Sequence, residues 1–397
     1  MRAQLLFEIP YATADASALK AYIAQKNVVK PDIWGAREVT IAPGQAKAPV
    51  IIGIWDSGVD PTDYPSAMYV DAMHRHGIAI ANDTTISTSD LLPVSSEIAK
   101  DYAQDVSYLA GRSDLQSGID SPDAESYVKF AKSLTPDESK QFRARLDVLA
   151  EYTHGSHVAG IAIRNNAAAH ILNARFNDNF SHLILDVDPA KWVNAMAKRI
   201  EEQGAYFRAN NVRVVNMSWG DDVAEFEDWL GKAEANGDPQ VRKAEAEKLF
   251  DVWRKAVSEV ISDSPNVLFI AAAGNSDSDA SFGGSVPAAL TLPNLITVGA
   301  VNQAGDPANF TSYGPTVLVY ADGYQVPSKL PGGYVVKYSG TSMATPNVTN
   351  LAAKLFAIDP SLTATEARAL IIKGATSSED GKLKLIDPKA TVGLIGT

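Results

Sequence analysis

No cysteine occurs in the 397 residues, which removes disulfides, thiolate nucleophiles and thiolate metal sites from consideration. Histidine is scarce, six in all, so any chemistry that needs imidazole draws on few positions. No apolar run approaches the roughly 20 residues that a membrane helix requires. Leu5-Leu6-Phe7 behind a single Arg2 is also too short for a secretory signal, which leaves either a cytosolic protein or one whose leader is not in this chain. Basic side chains are in deficit, 35 against 47 acidic ones for a net charge of −12, and no basic cluster interrupts them. Nucleic acid and anionic membrane are therefore poor partners. What remains is a globular composition, 46% hydrophobic and 21% charged, long enough for one large or two ordinary domains.

The apolar residues are arranged as an alternation of strands and helices. Residues 1–49 form a leader with a helix expected over Asp15–Gln25. Pro49–Trp55 is a continuous apolar run, the pattern of a buried parallel strand, and it ends at Asp56-Ser57-Gly58. Residues 61–150 are polar and mostly helical. Ser121-Pro122 and Thr135-Pro136 each pair an N-cap with proline at the first helical position, and Glu138 completes a capping box with Thr135. The second of these helices carries Phe142, Leu146 and Leu149 on one face, so the region is an insertion packed on something, not an independent domain. EYTHGSHVAGIAI follows, a small-residue helix behind His154 and His157. After it come a helix over about Pro189–Asn210, a strand over Val212–Met217, a helix over about Pro239–Ile261, and strands over Val267–Ala273 and Leu295–Val301. Thr363 and Glu366 cap a last helix that ends at Gly374, and residues 377–397 look extended. Helices alternating with buried strands predict an α/β fold, a three-layer doubly wound, mostly parallel sheet covered by helices on both faces.

Three positions carry chemistry. SGTSMATP, Ser339–Pro346, places Ser342 where an apolar helical pattern begins, so that its hydroxyl lies near unpaired backbone N–H groups and the positive end of a helix dipole. Taken alone, Ser342 could be a plain N-cap, and Asp56 at its strand end a turn-capping aspartate. His154 and His157 are three apart, but no glutamate completes a zinc-protease pattern, which argues against a metal. Together, Asp56, His154 and Ser342 supply the parts of an acyl-transfer triad, each expected where a strand ends or a helix begins. Serine is a weak nucleophile until an imidazole takes its proton, and a buried carboxylate must hold that imidazole in one tautomer. Their order along the chain, Asp then His then Ser, is that of subtilisin. The α/β-hydrolases run Ser, acid, His and carry G-x-S-x-G, which Ser342 lacks.

With these motifs in place the chain resembles the subtilisin-like serine peptidases. IIGIWDSGVD is similar to their Asp motif, HGSHVAG to their His motif, NMSWG to the substrate-strand motif, AAAGN to the oxyanion motif and SGTSMATP to the Ser motif; VGAVN and NFTSYGP match a further stretch. The resemblance covers roughly residues 50–357 outside the insertion. It implies a serine endopeptidase working on polypeptides through an acyl-enzyme, with Asp56, His154 and Ser342 as triad and Asn275 as the oxyanion side chain. It further implies that Ser218, Trp219 and Gly220 pair with extended substrate, that Ala273 and Gly274 line the opposite pocket wall, and that His157 is structural. No cofactor is required for the chemistry. Structural calcium is frequent in the family, but no ligands are assigned here. The resemblance also implies secretion or a periplasmic address, and leaves oligomeric state open.

The chain departs from the family in four places. Asp56 and His154 are 98 positions apart, far more than compact members use. Asn347 stands where many members have His, Asn350 where many have Gly, and Tyr320-Ala321-Asp322-Gly323 where many have an Ala-Pro-Gly turn. Two other readings stay open: a pseudoenzyme that binds peptides, and an esterase or amidase using the same triad.

Overall fold

Asp and Gly turns close a series of apolar runs, and these runs become the strands of one sheet. The computed structural model describes residues 9–26, 28–80, 86–87, 90–175, 188–233, 238–282 and 284–395. In chain order the elements are α1 (Ile9–Lys26), β1 (Val50–Asp56), β2 (Gly77–Ile80), β3 (Ile86–Ser87), α2 (Ser96–Gln116), α3 (Pro122–Ser133), α4 (Pro136–Ile163) and β4 (Ala169–Arg175). Next are α5 (Pro189–Ala209), β5 (Val214–Met217), α6 (Val223–Ala233), α7 (Pro239–Ser262), β6 (Leu268–Ala272), β7 (Leu295–Val301) and β8 (Val317–Asp322). The hairpin β9 (Val326–Leu330) and β10 (Tyr334–Tyr338) leads into α8 (Thr341–Ile358). The chain then runs through α9 (Ala364–Gly374), β11 (Thr376–Ser377), β12 (Lys384–Leu385) and α10 (Pro388–Val392).

Among the described residues, ten strands form one sheet in the order β11-β12-β8-β7-β6-β5-β1-β4-β2-β3, parallel from β12 to β2 with an antiparallel strand at each edge. β1 lies between β4 and β5, so the chain reverses its winding there. Such a switch point opens a crevice beyond the carboxyl ends of the strands. Side chains alternate between two cores. Ile52 and Ile54 join α4 and α8 on one face, while Trp55 joins α5 and α7 on the other. Each fully buried aliphatic side chain of this kind contributes about 1.5–3 kcal/mol. The three-layer α/β architecture expected from the sequence is the one observed.

The stretch 61–150 is mostly helical, as expected, and also holds β2, which continues the sheet beside β4, and β3, which pairs with β2. Three expectations need correction. The helix that begins at the Thr135 capping box does not stop before the His motif; α4 runs unbroken from Pro136 to Ile163, so His154 lies within a helix and not at its start. Residues 377–397 are not simply extended, since β12 joins the sheet and Asp387 caps α10. The leader is held against the domain from Lys30 onward, through Ile33 N–H to the Gln303 carbonyl, Arg37 to the Ile386 carbonyl and Lys47 N–H to the Ala357 carbonyl. Helix α1 itself extends beyond the expected Asp15–Gln25 at both ends and exposes Leu19, Tyr22 and Ile23.

The insertion is packed, as its apolar faces require. Tyr108, Phe130 and Phe142 form an aromatic cluster, with the first two stacked at 4.7 Å, and Leu146 and Leu149 are fully buried. Arg145 grips the buried Asp105 with two hydrogen bonds of 2.6 and 3.0 Å. Helix α2 then docks on the hairpin. Tyr102 packs edge-on against Tyr334 and donates to the Pro331 carbonyl at 3.0 Å, and Ser113 Oγ accepts from Ser339 N–H at 3.4 Å.

One ion pair ties the leader to α8. Lys354, fully buried, meets Glu38 Oε1 at 3.0 Å; burial pushes the lysine's pKa down and Glu38 opposes that shift. Removing Glu38 strands a buried cation, so Glu38→Gln should cost about 3 kcal/mol in urea unfolding, near the low end for buried pairs because Glu38 is one-third exposed. Adding Lys354→Met should recover most of that loss. A double variant as unstable as the single one would show that the pair is not the cause.

Candidate active site

Asp56 is the last residue of β1, and only 3% of it is exposed. Its Oδ1 accepts from Ser57 N–H at 2.8 Å and lies 2.7 Å from His154 Nδ1. A carboxylate can only accept, so Nδ1 carries the imidazole proton and Nε2 is left as the acceptor. Burial alone would lower the His154 pKa; the charge of Asp56 and its hydrogen bond outweigh burial and hold it above the usual 6.5.

The contact exists because α4 comes down onto the turn that ends β1. A Cβ on Gly155 would lie 2.3 Å from the Gly58 carbonyl oxygen, so only glycine allows this approach. Gly155 N–H donates to Ser57 Oγ at 3.1 Å, Asp60 N–H donates to Ser156 Oγ at 2.9 Å, and Tyr64 donates to the Ser156 carbonyl at 2.9 Å. The small residues behind His154 thus do what the sequence suggests. His157 points elsewhere: it is fully buried, reaches the Val336 carbonyl through Nε2 at 3.0 Å and packs on the Tyr338 ring. Burial takes its pKa to about 3, which makes it a neutral structural residue.

Ser342 is the second residue of α8, and Gly340 is the N-cap, so the plain capping role fails. The Ser342 hydroxyl donates to the Ser218 carbonyl at 3.1 Å and makes no hydrogen bond to His154, while Ser218 Oγ donates to the Ser342 carbonyl at 2.8 Å. The Ser342 backbone N–H falls among the first-turn donors that a helix leaves unpaired. Asn275 is oriented by the residue before the serine. Its Oδ1 accepts from Thr341 N–H at 2.8 Å and from Thr341 Oγ1 at 2.9 Å, which turns the amide Nδ2 away and leaves it free to donate. The Thr341 hydroxyl in turn accepts from Gly274 N–H at 3.2 Å.

The β5–β6 ladder ends at Met217 and Ala271. Beyond it, Ser218-Trp219-Gly220 and Ala273-Gly274-Asn275 continue as two arms at the mouth of the crevice. The Trp219 ring packs edge-on against Trp55 at 5.4 Å. The structure therefore joins Asp56 to His154, Ser342 to Ser218 and Asn275 to Thr341 at the start of α8, with α4 packed against α8. Sequence reasoning missed Ser57, Ser156 and Thr341 as supports. All three lie inside or beside the motifs already quoted, so their spacing was the available signal. Among the described residues no group of three or more His, Asp or Glu gathers as a metal site, and no residues are assigned to calcium.

The model of the subtilase family matches residues 47–387. Subtilisin of Bacillus pumilus is 31% identical over 263 residues, covering 66% of this chain and 82% of that protein. Subtilisin NAT of Bacillus subtilis subsp. natto is 30% identical over 263 residues, and there the match spans 59% of the relative's length. A solved structure of a protease from Pseudoalteromonas arctica shares the fold, with a TM-score of 0.53 at 16% identity over 88% of this chain and 91% of that one.

If His154 is the base, kcat/KM should rise with pH along a single-ionisation limb whose midpoint lies above 6.5, because only the neutral imidazole accepts a proton and its pKa is raised. His157, at about 3, adds nothing to that limb. Asp56→Asn should move the midpoint down and cut kcat by about 10⁴-fold through the wrong tautomer. A midpoint that stays put in Asp56→Asn would dissociate the limb from His154.

Proposed function

The chain belongs to the subtilase family, and from that premise we propose that it is a serine endopeptidase in which Asp56, His154 and Ser342 form the triad and Asn275 completes the oxyanion hole. The observation that carries the reading is the 2.7 Å contact between His154 Nδ1 and the buried Asp56, which leaves Nε2 as a free base at the crevice where Ser342 opens α8. An extended polypeptide adds its backbone alongside Ser218–Gly220, with its P1 side chain between that arm and Ala273-Gly274. The Ser342 hydroxyl turns from the Ser218 carbonyl to His154 Nε2, gives up its proton and attacks the scissile carbonyl. Charge develops on the carbonyl oxygen, where the Asn275 amide and the Ser342 N–H donate to it. His154 returns the proton to the leaving amine, and a water molecule then repeats the sequence on the acyl-enzyme. Side chains and backbone alone supply these steps.

Ser342→Ala should fold and lose nearly all hydrolysis of casein and of a peptide anilide, together with labelling by a fluorophosphonate. Asn275→Ala should lower kcat by about 10²–10³ with little change in KM, the loss subtilisin shows without its oxyanion amide. Retained turnover in Ser342→Ala would end the triad reading; a loss confined to KM in Asn275→Ala would end the oxyanion role. Labelling without cleavage of casein or peptide would favour an esterase or amidase, and no labelling at all a peptide-binding pseudoenzyme. No helix among the described residues is long and apolar enough to cross a membrane, and the secreted or periplasmic address belongs to the proposal through the resemblance to subtilisins.

The insertion limits which substrates enter. Its helix α2 is fastened to the hairpin immediately before Ser342, at Pro331, Tyr334 and Ser339. Tyr102→Ala releases two of these contacts and should raise cleavage of folded proteins relative to a short peptide. An unchanged ratio would make the insertion a bystander to selection.

A further inference from the structure

Thr349 lies two turns beyond Ser342 on the same face of α8 and is fully buried. Threonines inside helices ordinarily return their hydroxyl to the carbonyl four residues back, and Thr345 does so, donating to the Thr341 carbonyl at 2.8 Å. Thr349 instead reaches across to the sheet. Its hydroxyl donates to Asn216 Oδ1 at 2.9 Å, Asn216 Nδ2 donates to Ser218 Oγ at 2.9 Å, and Ser218 Oγ donates to the Ser342 carbonyl at 2.8 Å.

The direction of this chain follows by elimination. A carbonyl only accepts, so the single hydroxyl hydrogen of Ser218 is committed to Ser342. Ser218 Oγ must then accept from Asn216, which puts Nδ2 on that side and leaves Oδ1 facing Thr349 as an acceptor that only the Thr349 hydroxyl satisfies. Ser218 closes the circuit with its carbonyl, which receives the Ser342 hydroxyl at 3.1 Å. Asn216 is wholly enclosed and Ser218 nearly so, so water does not replace a lost partner without rearrangement.

We infer that Thr349 is a positioning residue for Ser342: by holding the Asn216 amide in one orientation it sets Ser218, and through Ser218 the resting place of the nucleophile and the start of α8. The inference rests on the proposed role of Ser342. Valine at 349 keeps the shape and removes the donor, leaving Asn216 Oδ1 enclosed without a partner and free to turn.

The test compares Thr349→Val, Thr349→Ala and Thr349→Ser with the wild type, each normalised by fluorophosphonate titration of Ser342, on a short peptide anilide across pH. Valine and alanine should each lower kcat per titrated site by about tenfold, the scale of one hydrogen bond's worth of misplacement, with KM nearly unchanged. The midpoint of the acid limb should not move, because no member of the chain titrates there. Serine should restore the rate, and alanine decides the matter if the valine variant does not fold. A lower melting temperature with wild-type kcat per site would reduce Thr349 to a structural role and overturn the inference, as would a serine variant as slow as valine or a shifted acid limb. A wild type that labels at Ser342 while the valine variant labels equally fast would sink this inference alone; a wild type that fails to label would sink the proposed function with it.

Discussion

The hydrogen bond between Asp56 and His154 is the constraint to which the rest of the site answers. A carboxylate with 3% of its surface exposed is costly unless it is paired, and its partner here arrives from 98 residues away on a different element. Strand β1 places the carboxylate at the carboxyl edge of the sheet. Helix α4 must then be held to within ångströms along that edge, and the bonds from Gly155 and Ser156 to Ser57, Asp60 and Tyr64 hold it. Since α4 is one helix from the Thr135 cap to Ile163, whatever grips its first half also steadies His154. The aromatic cluster and the Arg145–Asp105 pair grip that half. The insertion is thus mechanically part of the histidine's support, whatever it does to substrates.

Much of this was legible in the residues. Apolar runs marked β1, β5, β6 and β7, and the capping boxes at Thr135 and Thr363 were both found. The continuity of α4 was not legible, because Tyr152-Thr153-His154-Gly155 combines poor helix formers with glycine, each costing the helix up to about 1 kcal/mol. Burial of Val158, Ala159, Ile161 and Ala162 against the sheet overrides that local cost. Strand β2 escaped notice because four residues carry too little periodicity to separate from a loop, and only the waiting edge of β4 makes them a strand. Ser342, His154 and Asp56 could be singled out because motif order constrains them, and the structure brings two of them, His154 and Asp56, into contact. Asn216 and Thr349 were not singled out, because a hydrogen-bond partner across the fold leaves no trace in spacing along the chain.

The departures from the family pattern find their physical sense at the other end of the same helix. The last carbonyls of α4 lack intrahelical donors. Asn350 Nδ2 supplies them, donating to the Ala162 carbonyl at 2.9 Å and to the Arg164 carbonyl at 2.8 Å, which a glycine at that position could not do. Asn347 accepts from Arg164 Nη2 at 2.8 Å and donates to the Asp322 carbonyl at 2.9 Å, so it also ties β8 to the helix that carries Ser342. Asp322 belongs to the tetrad that replaces the usual turn, and burial lifts its pKa to about 6, so its carboxylate sheds its charge only as the pH falls toward that value. Three substitutions that look unrelated in the sequence therefore meet around one joint between α4, α8 and β8. Because α4 bears the histidine and α8 the serine, a joint that fixes the two helices to each other also limits how far Ser342 can drift from His154. The long insertion between Asp56 and His154 raises the demand for such a joint, since it hangs an additional packed load on α4, and the asparagines meet that demand at the end of the helix farthest from the load.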